Sequence, residues 1–244
     1  MKLKILLAIL LMFFLIKGNA QSVDTIKTNK GNIIIHLLGH GTLMFEFDDE
    51  VIHIDPFSKV ADYKVLPKAD LILITHQHYD HLDSAALENI YKINTSIFWT
   101  QYCQKDSKFQ KPATILKNGD RNEFKGIGIE VVPAYNIVNK RADGSPFHLK
   151  GEGNGYILTF GNQRIYVAGD TENIPEMNNL GKVDVAFLPV NLPYTMTPEM
   201  FLDAARMVKP RILYPYHFGK TDMQKVLELF KGERNIEVRI REME

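Results

Sequence analysis

Apolar residues along this chain fall mainly into short runs broken by Gly, Asn, Asp and Pro, a spacing that predicts a sheet-rich α/β protein with few long helices. Asn32 to Leu38, Thr42 to Phe47 and Val51 to Ile54 read as three strands, the last two joined by the acidic turn Asp48-Asp49-Glu50. Gly39-His40-Gly41 separates the first two, and the third stops at Asp55-Pro56, where proline ends sheet pairing. Leu71 to Ile74 is an unbroken apolar run, the pattern of a strand buried on both faces. Helical spacing follows over Ser84 to Ile93 and Tyr102 to Phe109, with strands expected at Ser96 to Trp99, Ala113 to Leu116 and Gly126 to Ala134. Asn136 to Asn154 has no clear period, and a loop of that length in a compact domain is usually functional or disordered. A hairpin is predicted for Tyr156 to Phe160 and Gln163 to Ala168 over Gly161-Asn162. The remainder reads as a strand over Val183 to Pro189, a helix from Thr197 to Val208 opened by Thr-Pro-Glu, a strand over Arg211 to Tyr214, a helix over Thr221 to Lys231 and a strand over Ile236 to Arg241.

The first 20 residues stand apart from this alternation. Lys2 and Lys4 precede twelve apolar residues, Ile5 to Ile16, and then Lys17-Gly-Asn-Ala20, which matches a secretory signal peptide cleaved after Ala20. Twelve residues are too few to cross a bilayer core, which takes about 20. The expectation is an exported protein, periplasmic or secreted, whose mature part, 21–244, is a single domain with no stable membrane insertion. Charge sharpens the picture slightly. The whole chain carries 29 basic and 29 acidic side chains, and loss of the leader's three lysines leaves an excess of three acids, which favours neither nucleic acid nor an anionic membrane as partner. Cys103 is the only cysteine, so stability rests on packing with no intrachain disulfide.

Candidate chemistry begins where the buried strand ends. Thr75-His76-Gln-His78-Tyr-Asp80-His81 places four metal-ligand side chains within six residues. His76 and His78 lie two apart, on one side of extended backbone, and Asp80 and His81 follow where strand should give way to helix. Two imidazoles and one more donor serve a single divalent ion, so the additional carboxylate and nitrogen point to a second ion nearby. Later apolar strands end in comparable chemistry, at Gly169-Asp170 and at Tyr216-His217. His36 and His53 fall inside strand patterns and read as structural.

The His-x-His-x-Asp-His run after an apolar strand resembles the signature of the metallo-β-lactamase-fold hydrolase superfamily. That resemblance, which runs from about Gly39 to Gly219, implies a four-layer αββα sandwich and a metal-dependent hydrolase. It implies His76, His78 and a third histidine at one ion, Asp80, His81 and His217 at another, and Asp170 bridging. It also implies a supporting role for the Asp55-Pro56 turn, with His40 as a further orienting candidate. The family's third histidine usually follows a strand ending in a Pro-containing turn, where this chain has Asn136; His148 is the only histidine between His81 and His217 and is taken as the ligand, with Asn136 as an alternative oxygen ligand or substrate contact. Tyr194 and Tyr216 are candidates to reach a small-molecule substrate. The implied cofactors are two divalent ions, Zn2+ first with Mn2+ or Fe2+ as alternatives, and the implied chemistry is attack by a metal-activated hydroxide on an ester, lactone or phosphodiester. Cys103 is not near the position of Asp170, which excludes the lactamases with a cysteine ligand there and favours the lactonase and phosphodiesterase branch. An iron-dependent redox enzyme on the same fold and a non-catalytic metal-binding protein are the competing readings.

Overall fold

Each half of the chain folds into one sheet of the same plan. The computed structural model describes residues 22–243, so the expected leader lies outside the described residues. One sheet holds β1 (Ser22–Thr28), β2 (Gly31–Gly39), β3 (Thr42–Phe47), β4 (Glu50–Ile54), β5 (Leu71–Leu73), β6 (Ser96–Trp99) and β7 (Thr114–Ile115), in that order. The other holds β8 (Arg121–Phe124), β9 (Ile127–Ala134), β10 (Gly153–Phe160), β11 (Gln163–Val167), β12 (Val185–Pro189), β13 (Ile212–Tyr216) and β14 (Glu237–Val238), again with sequence neighbours side by side. In both sheets the first three pairings are antiparallel and the last three parallel. Asp55 follows β4, and Asp170 comes shortly after β11, its counterpart in the second half.

The sheets face each other across a shared core. Phe45 and Phe47 of the first meet Phe160 of the second at ring distances of 6.1 and 5.1 Å, and Phe45 meets Phe187 at 5.9 Å. On the outer face of the first sheet, Ile72, Ile74, Ile97 and Trp99 pack with Ala86, Leu87 and Ile90 of α1 (Ser84–Ile90). That helix starts where Asp83 accepts hydrogen bonds from the Ala85 and Ala86 N–H groups, and it ends before Ile93 because Tyr91 turns extended. After the short helix α2 (Gln101–Asp106), the longest helix among the described residues is α3 (Pro198–Val208), capped by Thr197 and packed against β12 and α4 (Met223–Leu229). The architecture is therefore the four-layer αββα sandwich. Both strands that the hydrophobic pattern does not predict, β1 and β8, are sheet edges with one buried apolar residue each, Ile26 and Phe124, and so show no apolar run. β10 reaches back to Gly153 through the pairing Gly153↔Ala134, because glycines that punctuate loops in sequence can also continue a strand.

Candidate metal centre

Apart from His148, which comes from the long loop between β9 and β10, the chemistry-bearing residues lie close beyond strand ends at one edge of the sandwich. His76, His78 and His81 follow β5, Asp170 follows β11, His217 follows β13, and His40 sits in the β2–β3 turn. Two glycines permit this convergence. A Cβ on Gly41 would stand 3.1 Å from the His81 ring and 3.2 Å from that of His217. Gly169 takes φ +67°, and a Cβ there would meet the Asn154 carbonyl oxygen at 2.9 Å. His40, Asp55 and His217 themselves adopt left-handed backbone, with φ of 52°, 46° and 45°. Such conformations cost about 1–3 kcal/mol each and collect where surrounding structure over-determines them. Here the His217 N–H donates to the His40 carbonyl at 2.9 Å, and the His40 N–H donates to the Met243 carbonyl of the C-terminal tail.

Three donor groups result, each with its atoms within 4.8 Å of one another: His76 with His78 and His148; His40 with Asp80 and His217; His76 with His81 and Asp170. In the first, His78 Nδ1 lies 3.0 Å from His76 Nε2 and 3.2 Å from His148 Nε2. Asp170 lies between the others. Its Oδ2 is 3.4 Å from His148 Nε2 and 3.5 Å from His217 Nε2, while Oδ1 is 3.6 Å from His81 Nε2. Asp80 Oδ2 is 3.0 Å from His40 Nε2, 3.5 Å from His217 Nε2 and 3.9 Å from His81 Nε2. His148 thus joins His76 and His78 across a long loop, and His40, expected as an orienting group, stands directly beside Asp80 and His217.

The far nitrogens of these rings are held from behind. His81 Nδ1 donates to Asp55 Oδ2 at 2.7 Å. Thr75 donates its hydroxyl to the same Oδ2 at 2.6 Å and its N–H to Oδ1 at 2.7 Å, and its oxygen receives His76 Nδ1–H at 3.0 Å. Asp55, fully buried, therefore steers two imidazoles, one directly and one through Thr75. Asn136 does not offer its oxygen to the centre. Its Oδ1 accepts from His148 Nδ1 at 2.6 Å and from the His148 N–H at 3.0 Å, while its Nδ2 donates to Glu172 Oε1 and the Tyr194 carbonyl. The Asn191 amide meets His217 Nδ1 at 3.4 Å. The oxygen acceptors behind His76, His81 and His148 fix ring orientation and tautomer so that the other nitrogen's lone pair faces inward, whereas Asn191 Nδ2, a donor, does not do this for His217. Tyr216 is not a substrate contact: it is fully buried, and its hydroxyl accepts the Gly169 N–H at 2.8 Å, which supports the turn carrying Asp170. Tyr194 is exposed and lines the cavity. His36 and His53 are structural as expected, bonded to Glu46 and to the Pro67 carbonyl.

Glu172, two residues after Asp170, is a supporting residue that the sequence pattern does not single out. Fully buried, it accepts the N–H groups of Ile137, Val138 and Asn139 at 2.6–2.7 Å together with the Asn136 amide. Glu172→Gln presents an amide N–H to groups that are themselves donors, so the variant should lose about 2–3 kcal/mol of stability. Urea unfolding monitored by tryptophan fluorescence and circular dichroism reads this, and an unchanged midpoint and slope would show that the loop does not depend on the carboxylate.

Electrostatics favour a bound cation. Burial, reinforced by the His81 imidazole, holds His76 well below its ordinary pKa, and burial with the His148 ring pushes His78 down to about 4, so both are neutral, as a ligand requires. Burial alone would raise Asp80 and Asp170. The hydrogen bonds of His217 and His40 outweigh it for Asp80, and the fields of His217 and His81 outweigh it for Asp170, so both carboxyls stay ionised. His81 goes the other way, its burial overcome by Asp170 and Asp55, which raise it well above an ordinary histidine. In the protein alone a proton on His81 balances these acids, and a divalent cation would take over that role by displacing it. His81 Nε2, His217 Nε2 and Asp170 Oδ1 are moreover buried with no hydrogen-bond partner. Buried polar atoms are rarely left so, and the two imidazole nitrogens flank the Asp170 carboxylate, His81 Nε2 at 3.6 Å from Oδ1 and His217 Nε2 at 3.5 Å from Oδ2, which fits metal ligation.

Comparison with known proteins follows the same lines. Residues 34–217 match the β-lactamase superfamily domain. A UPF0173 metal-dependent hydrolase of Desulforamulus reducens is 30% identical over 191 residues, covering 75% of this chain and 82% of the relative. Another from Thermus thermophilus is 32% identical over 193 residues, covering 76% and 83%. Among solved structures, a candidate metal-dependent hydrolase from Parabacteroides distasonis superposes with a TM-score of 0.86 at 46% identity, over 92% of this chain and 100% of that one. The metallo hydrolase Igni18 of Ignicoccus hospitalis gives 0.71 at 26% identity, over 86% and 95%. CmlA, a diiron β-hydroxylase of Streptomyces venezuelae, gives 0.67 at 13% identity over 86% and 53%, a likeness of fold alone.

Proposed function

This chain belongs to the metallo-β-lactamase superfamily, among its UPF0173 metal-dependent hydrolases, and from that premise we propose that it is a dinuclear enzyme cleaving an ester, lactone or phosphodiester. His76, His78 and His148 would hold one divalent ion, and Asp80, His81 and His217 the other, with Asp170 between them and His40 hydrogen-bonded to Asp80. The observation that carries this reading is the Asp170 carboxylate flanked by His81 Nε2 and His217 Nε2, with those two nitrogens and Asp170 Oδ1 buried and unpartnered, beside the three-histidine group. A pair of ions held there, Zn2+ in the first instance, would supply an activated water and an electrophilic contact for the scissile oxygen. The protein's part is orientation. Asp55, Thr75 and Asn136 hold ring tautomers, Asp170 and Asp80 keep their negative charge, and a cavity of about 380 Å³ receives the substrate beside His78, His148 and Asp80. No reacting proton needs to come from Tyr216, whose hydroxyl is occupied at Gly169.

The test is metal content of purified protein together with turnover of ester, lactone and phosphodiester panels. Two ions per chain, hydrolysis of at least one class and its loss on chelation are expected. Iron as the bound metal with oxygen consumption and no hydrolysis would replace this reading with a redox enzyme, and bound metal with neither activity would make it a metal-binding protein.

We further propose export. The basic and apolar leader with Gly18-Asn19-Ala20 supports cleavage after Ala20, and β1 pairs from Ser22 onward, so the cut would spare the first strand. Among the described residues no helix is long and apolar enough to cross a membrane. Mass spectrometry of the protein from its native cells should find Gln21 as the first residue, in the periplasm or medium. An intact Met1 leader in the cytoplasm would overturn this.

A further inference from the structure

Arg141 is the basic side chain among the residues lining the metal-centre cavity, where it stands with Tyr79, Phe147 and Tyr194. Arg121, Arg164, Arg206, Arg239 and Arg241 each pair with a carboxylate, whereas among the described residues no carboxylate lies within 4.0 Å of Arg141, nor of Arg211 or Arg234; of these three, Arg141 is the one that lines the cavity. The neighbouring acid in its turn, Asp143, gives Oδ1 to the N–H and hydroxyl of Ser145, at 2.9 and 2.6 Å.

The arginine is nevertheless held in position. Its N–H donates to the Ser145 carbonyl at 2.7 Å and its carbonyl accepts the Gly144 N–H at 3.0 Å, inside a tight turn closed by the Lys140↔Pro146 bridge. The guanidinium lies over the Phe147 ring at 5.0 Å and spends one N–H on the Phe147 carbonyl at 3.2 Å. Phe147 in turn meets Tyr194 edge to face at 5.2 Å. Behind the turn, Asn139 is tied to Glu172 and to the Thr195 carbonyl, so the loop that presents Arg141 is the loop that presents His148. An exposed guanidinium held over an aromatic ring, with donors left over and no carboxylate within 4.0 Å among the described residues, is suited to a planar oxyanion, which it can grip bidentately.

We propose that Arg141 is a specificity-determining residue, and that the substrate carries, away from its scissile bond, an oxyanion group such as a carboxylate or phosphate together with an apolar or aromatic portion that rests on Phe147 and Tyr194. The inference rests on the reading of the site as a metallohydrolase and adds the substrate class to it. Arg141 takes no part in bond cleavage.

The test uses full-length mature protein loaded with zinc. Mono-4-nitrophenyl esters of succinic, glutaric and adipic acids, which carry a remote carboxylate at three reaches, are compared with the uncharged 4-nitrophenyl pentanoate. Wild type should favour at least one acidic ester, and Arg141→Ala should raise KM for it by roughly 10- to 100-fold, the range for loss of a charge-assisted contact, while kcat and the neutral ester change little. Arg141→Lys, which keeps the charge without the planar fork, should restore part of the preference. Calorimetric titration of the corresponding anilides, acidic and neutral, into the same proteins gives a readout independent of turnover. If no ester is hydrolysed, the hydrolase reading loses its ester case while anilide binding still decides Arg141. A preference for the acidic member that survives Arg141→Ala, an equal effect on both members, or no preference at all would overturn the proposal.

Discussion

Asp170→Asn should reduce turnover by well over a hundredfold while leaving substrate affinity nearly unchanged. Loss of residues that merely support metal ligands costs about 10–100-fold, and Asp170 stands inside the centre, within 3.6 Å of His81, His148 and His217. The amide has almost the same shape but lacks the charge, and one of its ends turns from acceptor to donor. Two divalent cations held close together repel each other, and a carboxylate between them offsets part of that repulsion. If the proposed pair of ions is bound, the set Asp80, His81 and His217 should therefore lose its ion first, because it lacks the three imidazoles of the other group. The cavity walls contributed by Phe147, Tyr194 and Arg141 are untouched, so the loss should fall on kcat more than on KM. Metal per chain after dialysis, with kcat and KM at matched metal concentration, is the measurement. Full stoichiometry with unchanged turnover would reduce Asp170 to a turn residue.

Much of this site was legible because its residues interrupt a regular pattern. Leu71 to Ile74 announces a buried strand, and His76, His78, Asp80 and His81 cluster so tightly after it that chance spacing is a poor account. Asp170 and His217 stand out for the same reason, each close behind an apolar run. The supports behind the rings were harder to see. Thr75 and Glu172 carry no spacing signal, since the partners that anchor them, Asp55 and the backbone of residues 137–139, lie in other strands' loops and only the closed sandwich brings them together. Asn136 illustrates the limit: its position after the β9 turn invited comparison with a ligand, and only its neighbours reveal that its oxygen serves His148. Edge strands β1 and β8 escaped for a related reason, as pairing through backbone leaves little mark on side chains that stay in water. The equivalence of the two sheets, faint in sequence as two hairpins each ending near an aspartate, becomes a full correspondence of seven strands.

That correspondence gives the paired aspartates different tasks, and the task of Asp55 yields the second large effect. Asp170 faces the centre, whereas Asp55 lies behind it with both oxygens filled: Oδ1 by the Thr75 N–H, Oδ2 by the Thr75 hydroxyl and His81 Nδ1. Asp55→Asn cannot satisfy all three donors in either amide orientation. With Nδ2 replacing Oδ2, the new N–H meets the His81 ring, which is relieved only if Nδ1 becomes the acceptor and the proton moves to Nε2. Nε2 is the nitrogen that faces Asp170, so the lone pair needed for ligation is lost although the residue's shape hardly changes. With the amide reversed, the Thr75 N–H loses its acceptor in a fully buried position, and the β5 turn that carries His76 and His78 loosens. Either way metal affinity should fall by about 10–100-fold, the usual range for partners of metal-binding histidines, and turnover with it. Nitrogen-15 NMR of the imidazoles in metal-free protein, at a pH high enough to remove the second proton that Asp170 and Asp55 hold on His81, separates the two routes, since the first leaves the remaining proton on Nε2 and the second leaves it on Nδ1. Unaltered zinc affinity with the His81 proton still on Nδ1 would mean that Asp55 is a turn residue held in left-handed backbone for the strand's sake, and that the orientation of His81 comes from packing alone.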